Sequence, residues 1–444
     1  MKVAVLGKSR FKGILAEQLS GEGLSPVFLE NIDEIKSIRG EVGEFLIRTQ
    51  KETITAGCVI VAADPPALDD FSTSQENGKP VVILLDYPEE SPAYLTETAL
   101  NRAIELAGKQ KKVFFLSRFM RISASGMEML YRQARNMGVV FIRYNGIRVS
   151  RDNDTGMFHL EVKDDYGEIG IDTFVLIKAG VTIGKGDAAR LSKLLKLKLD
   201  KGIYPSGSSY YLSPSITSRK GIFFLDGASA GNLGEEIIQQ VRYTISEMRA
   251  IAEEQTAFAE VDSGKCAFCY TCYRACPHSA MIPDDENSAM KNLNKACQVC
   301  GICVSVCPAD AVRIKGRNSN TEVRPGSLRV FCCENSGEIA MNRITGQLSG
   351  VYEKISIASV SCGGEITAEN IVSALKSYDK VLLVTCKEDA CKHFEGNKRA
   401  RLQAERAREM IKAAGLDESR IVYIQISHAL PNVLLEGIKE LMVK

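Results

Sequence analysis

The chain has 444 residues, enough for about three domains that each bury a core. Its formal net charge is +1, with 25% charged and 45% hydrophobic residues, so nothing in the balance calls for nucleic acid or an anionic membrane surface as a partner. The longest apolar runs, such as 81–85 and 381–385, are strand-sized and far short of the roughly 20 residues that cross a bilayer, so no transmembrane segment is expected.

In chain order, the first part reads as α/β. MKVAVLG opens directly into a strand with no secretory h-region. A helix over 11–20 follows, then strands at 26–30, 44–50, 58–64 and 81–88. A helix over 94–106 precedes the strand 113–117, and a helix over 123–137 precedes 139–144. Strands at 159–164, 172–180 and 221–227 and a long helix over 235–254 complete this part. Strands alternating with helices of this length predict parallel sheets built from βαβ units. Two such units interrupted by antiparallel strands resemble the two-nucleotide-site architecture of flavin-dependent disulfide reductases. The polar stretch RNSNTEVRPGS (317–327) reads as a linker. Beyond it, strands at 328–333, 354–362, 380–386 and 421–426, with helices over 370–377 and 399–414, predict a small α/β domain. The expected division is 1–255, 256–320 and 327–444.

Between the two α/β parts lie eight cysteines in two identical runs. Cys266, Cys269, Cys272 and Cys276 precede Pro277; Cys297, Cys300, Cys303 and Cys307 precede Pro308. Each run is C-x2-C-x2-C-x3-C-P, the bacterial ferredoxin spacing, in which the fourth cysteine of each run serves the other run's cluster. The expected ligand sets are therefore Cys266, Cys269, Cys272 and Cys307 for one 4Fe–4S cluster, and Cys276, Cys297, Cys300 and Cys303 for a second. Two-residue gaps let three sulfurs converge from one tight loop, and the proline turns the chain away before the fourth can join them. Two zinc sites would instead close each on its own CxxC pairs, and the duplicated triplet-plus-CP pattern argues against them. Thirteen of the fourteen cysteines lie beyond residue 265 in such spacings rather than in a disulfide framework, which fits a reducing cytoplasm, and exposed low-potential clusters suggest an anaerobe.

A strand, a glycine-rich turn, a helix and an acid at the end of the next strand make the dinucleotide fingerprint. Here the turn is Gly7-Lys8-Ser9-Arg10-Phe11-Lys12-Gly13. Gly7 falls where the first glycine is needed and Glu30 where a ribose-binding acid would lie. Ser9 and Lys12 occupy the second and third glycine positions. Ser9 puts a side chain where pyrophosphate needs bare backbone, so the expectation is a nucleotide fold that holds FAD weakly or not at all.

Several stretches resemble the A-type subunit of heterodisulfide reductase: the N-terminal unit, SRFMRISASGMEMLYRQARNMGVVFIRYNGIRV (117–149) and GIFFLDGASAGNLGEEIIQQ (221–240). The resemblance implies that the last stretch closes over FAD, with Gly227 at the matching position. Family members carry further N-terminal cysteines near the flavin; here Cys58 stands alone. The third part resembles the delta subunit of methyl-viologen-reducing hydrogenase through FCCENSG, SCGGE and TCKEDACKHFEGN. That resemblance implies a 2Fe–2S cluster on Cys333, Cys362, Cys386 and Cys391, with Cys332 as a possible replacement for Cys333. Ser336 stands where the family has a cysteine, and His393 follows Cys391 as in the family, in a surface or supporting role. The fusion also resembles a shortened form of the B-type subunit of the quinone-interacting membrane-bound oxidoreductase.

Three clusters in series make a conduit. The function expected is an electron-transfer subunit, without a catalytic residue of its own, relaying electrons between a partner dehydrogenase or hydrogenase and a heterodisulfide reductase-like catalytic partner. The alternatives are a flavoenzyme that splits electron pairs on its own FAD, and a non-redox assembly scaffold.

Overall fold

A computed structural model describes residues 1–63, 68–72, 78–87, 91–120, 122, 126–180, 187–197, 199–200, 204–205, 215–226, 235–251, 257–316, 326–348, 350–388 and 390–443. Gly227, most of the linker and the first residues of the helix expected over 123–137 lie outside these described residues.

The N-terminal region holds two parallel sheets. In the first, the order is Ile222–Asp226, Cys58–Ala63, Lys2–Leu6, Ser25–Leu29, with every pair parallel. Strands buried on both faces need continuous apolar runs, and Val3, Leu6, Val59, Ile60 and Val61 supply them at 0% exposure. The second sheet lies in sequence between strands of the first. Its order is Val140–Arg143, Val113–Ser117, Val81–Asp86, Val175–Gly180, Asp69–Ser72, and only the last pairs antiparallel. Each sheet has its own core on one face, gathered around Leu15, Leu19 and Val241 in one and Leu95, Leu100 and Phe115 in the other.

Two three-stranded antiparallel sheets interrupt these units: Ile35–Glu41, Glu44–Thr49, Thr53–Ala56, and Gly146–Arg151, Phe158–Lys163, Glu168–Thr173. The sequence predicted only the middle strand of each. Their outer strands are short or charged, and pairing rather than propensity holds them. The strand expected over 172–180 is two: Thr173 ends one and Val175 begins the next, with the Thr173 hydroxyl donating to Pro80 O at 2.7 Å.

The ferredoxin-type domain is two hairpin-like pairs, Phe258–Val261 with Val312–Lys315 and Met281–Asp284 with Ala289–Asn292, around the short helices Thr271–Ala275 and Ile302–Ser305. The C-terminal domain is a four-stranded parallel sheet ordered Ile355–Val360, Leu328–Cys333, Lys380–Cys386, Ile421–Ile426. Helices Ile339–Ile344 and Pro431–Val443, neither predicted from sequence, cover one face; Ala368–Ala374 and Gly396–Ala413 cover the other. The helix expected over 370–377 starts two residues earlier because Thr367 and Asn370 form a capping box. Leu328–Cys333 is the strand from which the chain departs to both sides. Open parallel sheets bind ligands at the carboxyl ends of strands at such a switch point.

Candidate metal centres

The two cysteine runs fold into loops of the same backbone shape. Positive φ recurs at Phe268 (49°) and Val299 (53°), Tyr270 (60°) and Gly301 (70°), and Ser279 (51°) and Asp310 (48°). Five of these six residues carry a side chain, at a cost of order 1 kcal/mol each. That strain turns the sulfurs inward and points amides at them: Ala280 N lies 3.4 Å from Cys276 Sγ, Ala311 N 3.3 Å from Cys307 Sγ, Val299 N 3.4 Å from Cys297 Sγ and Met290 N 3.5 Å from Cys266 Sγ. Such bonds raise the potential of a bound cluster.

The sulfurs separate into two groups. Cys276, Cys297, Cys300 and Cys303 line one cleft, together with His278 and Ile302. Three come from the second run and one from the first. On the other side, Cys272 is close enough to Cys307 and Cys266 to be influenced by both, and burial pushes its thiol up to about 11. Cys269 is exposed beside the Thr271 hydroxyl at 3.2 Å, which lowers its thiol below the ordinary range. Burial pushes Cys300 and Cys303 well up. The inner four thiols share one cleft and fit an iron–sulfur cluster, and in the outer set Cys272 stands near Cys266 and Cys307, with Cys269 exposed on the same loop.

The C-terminal set forms at the switch point. Cys333 ends the first strand, Cys362 follows the second by two residues, Cys386 ends the third, and Cys391 lies on the next loop. All four line one cleft with Asn335, His393 and Asn397. Cys333 Sγ and Cys386 Sγ are 3.6 Å apart, and Cys362 Sγ and Cys391 Sγ 3.9 Å. Shared hydrogen bonds from neighbouring thiols draw Cys333 and Cys391 below the usual thiol range and push Cys386 and Cys362 above it. The helix Gly396–Ala413 starts here, so its amide dipoles favour negative charge at the set, and the Asn397 amide donates to Cys391. A Cβ on Gly396 would lie 2.0 Å from Cys362 Sγ, so only glycine lets the helix come this close. These four thiols fit a cluster as well. Cys332 faces the other way, into the core with Val330 and Leu434 at 0% exposure. Ser336 is turned from the cleft, its hydroxyl donating to Ile426 O at 2.7 Å.

The second and third sets adjoin. Cys300 packs with Ile302 and all four C-terminal thiols in one buried apolar cluster. Gly301 and Gly364 allow this: a Cβ on the first would meet Glu365 Cβ at 2.5 Å, and one on the second would meet Ile302 Cγ1 at 2.7 Å. Two residues here were not singled out by sequence. His278 is 1% exposed and hydrogen-bonded to His393, which is buried rather than on the surface. Arg219 is 5% exposed and donates to Leu195 O at 2.8 Å and Gly40 O at 3.1 Å. Burial lowers its pKa to about 10, partly offset by nearby Cys276, so the guanidinium stays charged at neutral pH. A cation this deep had no local sequence signal; only the fold brings residue 219 to Cys276.

The nucleotide turn is occupied by its own side chains. Gly7 adopts φ 104° and donates to Leu29 O at 3.0 Å. Lys12 Nζ reaches Glu30 Oε1 at 2.5 Å, and Ser9 Oγ accepts from Phe11 N at 3.2 Å. The lysine lowers the Glu30 carboxyl below its ordinary range by hydrogen bonding and charge. The acid that would take a ribose is therefore paired with the residue standing at the third glycine position. Cys58 lies in the first core, its thiol pushed up to about 12 by burial, far from a ligand's environment.

Known proteins match different stretches of this chain. Residues 328–444 match the family model "Methyl-viologen-reducing hydrogenase, delta subunit", and 265–312 match "4Fe-4S dicluster domain". Over 347 residues, 73% of the chain, it is 25% identical to the A-type subunit of ferredoxin:CoB-CoM heterodisulfide reductase from Methanosarcina mazei. The chain resembles that heterodisulfide reductase polypeptide and ends in a hydrogenase delta-type domain. It spans 44% of that relative's length. A polyferredoxin-like subunit of an aliphatic sulfonate oxidoreductase from Pyrococcus furiosus is 31% identical over 87 residues, 19% of this chain and 50% of that one. Among solved structures, T. acidophilum thioredoxin reductase aligns with a TM-score of 0.39 at 12% identity, covering 56% of this chain and 97% of that chain. Among the described residues, no helix is long and apolar enough to cross a membrane.

Proposed function

We propose that this chain is an electron-transfer subunit of a heterodisulfide reductase-like oxidoreductase complex. In this reading Cys266, Cys269, Cys272 and Cys307 hold one 4Fe–4S cluster, Cys276, Cys297, Cys300 and Cys303 a second, and Cys333, Cys362, Cys386 and Cys391 a 2Fe–2S cluster. The working parts are 1–255, 256–320 and 327–444, and the setting is a reducing cytoplasm. The observation that supports the reading most is that Cys300 and the four C-terminal thiols share one buried cluster, which leaves the second and third sets adjoining. The bound clusters would supply one-electron chemistry. The chain's own residues orient the sulfurs through strained loops, donate amides to them, and exclude water through Ile302. Arg219 and the amino end of helix Gly396–Ala413 offset negative charge. The proposed partners are a dehydrogenase or hydrogenase docked at the C-terminal domain and a heterodisulfide reductase-like catalytic subunit. FAD is left out of this chain because Lys12 and Glu30 engage each other where the nucleotide would lie.

The test is an iron and sulfide count with Mössbauer spectroscopy on anaerobically purified protein, followed by acid extraction of flavin. About ten irons per chain in three centres is the expected result. Near-zero iron would favour the assembly scaffold, and stoichiometric FAD would favour the flavoenzyme.

A further inference from the structure

One hydrogen-bonded relay crosses all three parts of the molecule. Ser218 O, on the segment leading into the strand Ile222–Asp226, faces His278 Nδ1 at 2.7 Å and Gln298 Nε2 at 3.3 Å. His278 Nε2 faces His393 Nδ1 at 2.8 Å. The rings stand edge to face, 4.9 Å between centroids at 89°, and are 1% and 4% exposed.

The chemistry fixes where the protons are. A carbonyl only accepts, so His278 Nδ1 carries a proton. Of His278 Nε2 and His393 Nδ1, 2.8 Å apart, one therefore donates to the other. A ring nitrogen of each histidine and Cys300 Sγ all lie within 4.8 Å of one another. These three groups do not describe a mononuclear metal site. With metal–nitrogen bonds near 2.0 Å, a shared ion would hold its two nitrogens further apart than this hydrogen bond does.

Each ring is tethered to a loop that carries a thiol. His278 comes two residues after Cys276, and His393 two residues after Cys391. The second loop is stiffened by Phe394 N donating to Cys391 O at 2.9 Å and Glu395 N to His393 O at 2.8 Å. The pair therefore bolts the inner ferredoxin loop to the C-terminal loop beside Cys300, where the two thiol sets come together.

We infer that His278 and His393 are positioning residues for electron transfer between the inner and C-terminal thiol sets, fixing by their mutual hydrogen bond how closely Cys300 approaches the C-terminal thiols. The inference rests on the cluster assignment proposed above. The transfer moves one electron from one centre to the other; no bond is made or broken, and both rings keep their protons. Because tunnelling weakens steeply with distance, a loosened bolt slows the step even when both centres remain loaded.

The experiment uses the full chain, reconstituted anaerobically, as wild type, His393→Asn and His393→Leu. Iron content and Mössbauer spectra report loading. EPR of the reduced protein reports magnetic interaction between the two centres, and flash photoreduction reports the rate of transfer between them. His393→Leu keeps its iron but loses the EPR interaction and transfers more slowly. His393→Asn keeps both, because its amide can donate or accept a hydrogen bond where Nδ1 did. Three outcomes overturn the inference: wild-type coupling in His393→Leu, equal impairment in the two variants, or loss of iron from His393→Leu, which would make the ring a support of one cluster. A wild-type protein lacking either centre would instead bring down the cluster assignment itself.

Discussion

The two halves of the cysteine repeat have the same spacing and the same backbone turns, yet they occupy opposite environments. In the outer half, Cys269 is exposed, Cys266 and Cys307 are half-buried among the rings of Phe268, Tyr270 and Tyr273, and Cys272 alone is buried. In the inner half, Cys297, Cys300 and Cys303 are all buried and Cys276 is half-buried. The contrast is sharpest at one pair of equivalent turns. Tyr270 at φ 60° carries a ring, whereas Gly301 at φ 70° has Glu365 pressed against the place of its Cβ. Spacing therefore decides what can be bound, and the packing partner decides whether the bound group meets a neighbouring protein or a second site in the same chain.

The largest expected effect tests which cysteines belong to which half. Cys276→Ser should cost the inner centre, about four irons, and leave the outer one intact, although Cys276 lies in the first run. EPR and iron analysis check this; loss of the outer signal would reverse the assignment. Gly396→Ala comes next. Its new methyl group would collide with Cys362 Sγ, so the C-terminal domain should fail to retain its iron, about two atoms, while both ferredoxin-type centres stay loaded. Zinc recovered at those thiols in wild-type protein would point to a structural tetrathiolate site instead.

A smaller effect compares the equivalent turns directly. Gly301→Ala should destabilise by about 1–3 kcal/mol, from left-handed strain and the clash with Glu365. Tyr270→Gly should cost less than this, because relief of the same left-handed strain offsets the lost ring contacts with Phe268 and Tyr273. Chemical denaturation of the iron-loaded protein would measure both, and equal costs would remove the asymmetry. The smallest effect is electrostatic. Arg219→Gln should lower the midpoint potential of the inner centre by up to about 59 mV, a tenfold change in a one-electron equilibrium, and leave the outer centre alone. An EPR-monitored redox titration that moves both centres equally would show a general charge effect rather than a local one.

Ligand chemistry confined to short loops is legible in sequence, which is why the two cysteine runs could be read at once. The choice between Cys332 and Cys333 was not legible, because both faces of Leu328–Cys333 are buried and alternation alone does not say which face ends at the cleft. His278 and His393 are 115 positions apart, and no periodicity links them. The replacement of glycines by Ser9 and Lys12 was visible. The ion pair from Lys12 to Glu30 was not, since it depends on a strand and a helix being neighbours. The antiparallel inserts escaped because strands such as Thr53–Ala56 have too few residues to declare a pattern.

The depth of the inner junction also bears on how the molecule is made. Cys300, Cys333, Cys362, Cys386 and Cys391 are each 7% exposed or less, and Ile302 lies over them with Gly364 and Gly396 in close contact. A carrier delivering iron and sulfide cannot reach thiols sealed in this way. Under the proposed cluster assignment, loading of the inner and C-terminal centres would then precede the closure of one domain on the other. Metal insertion and domain assembly would then form one ordered maturation sequence, and a chain that had closed empty would have to reopen before it could be loaded.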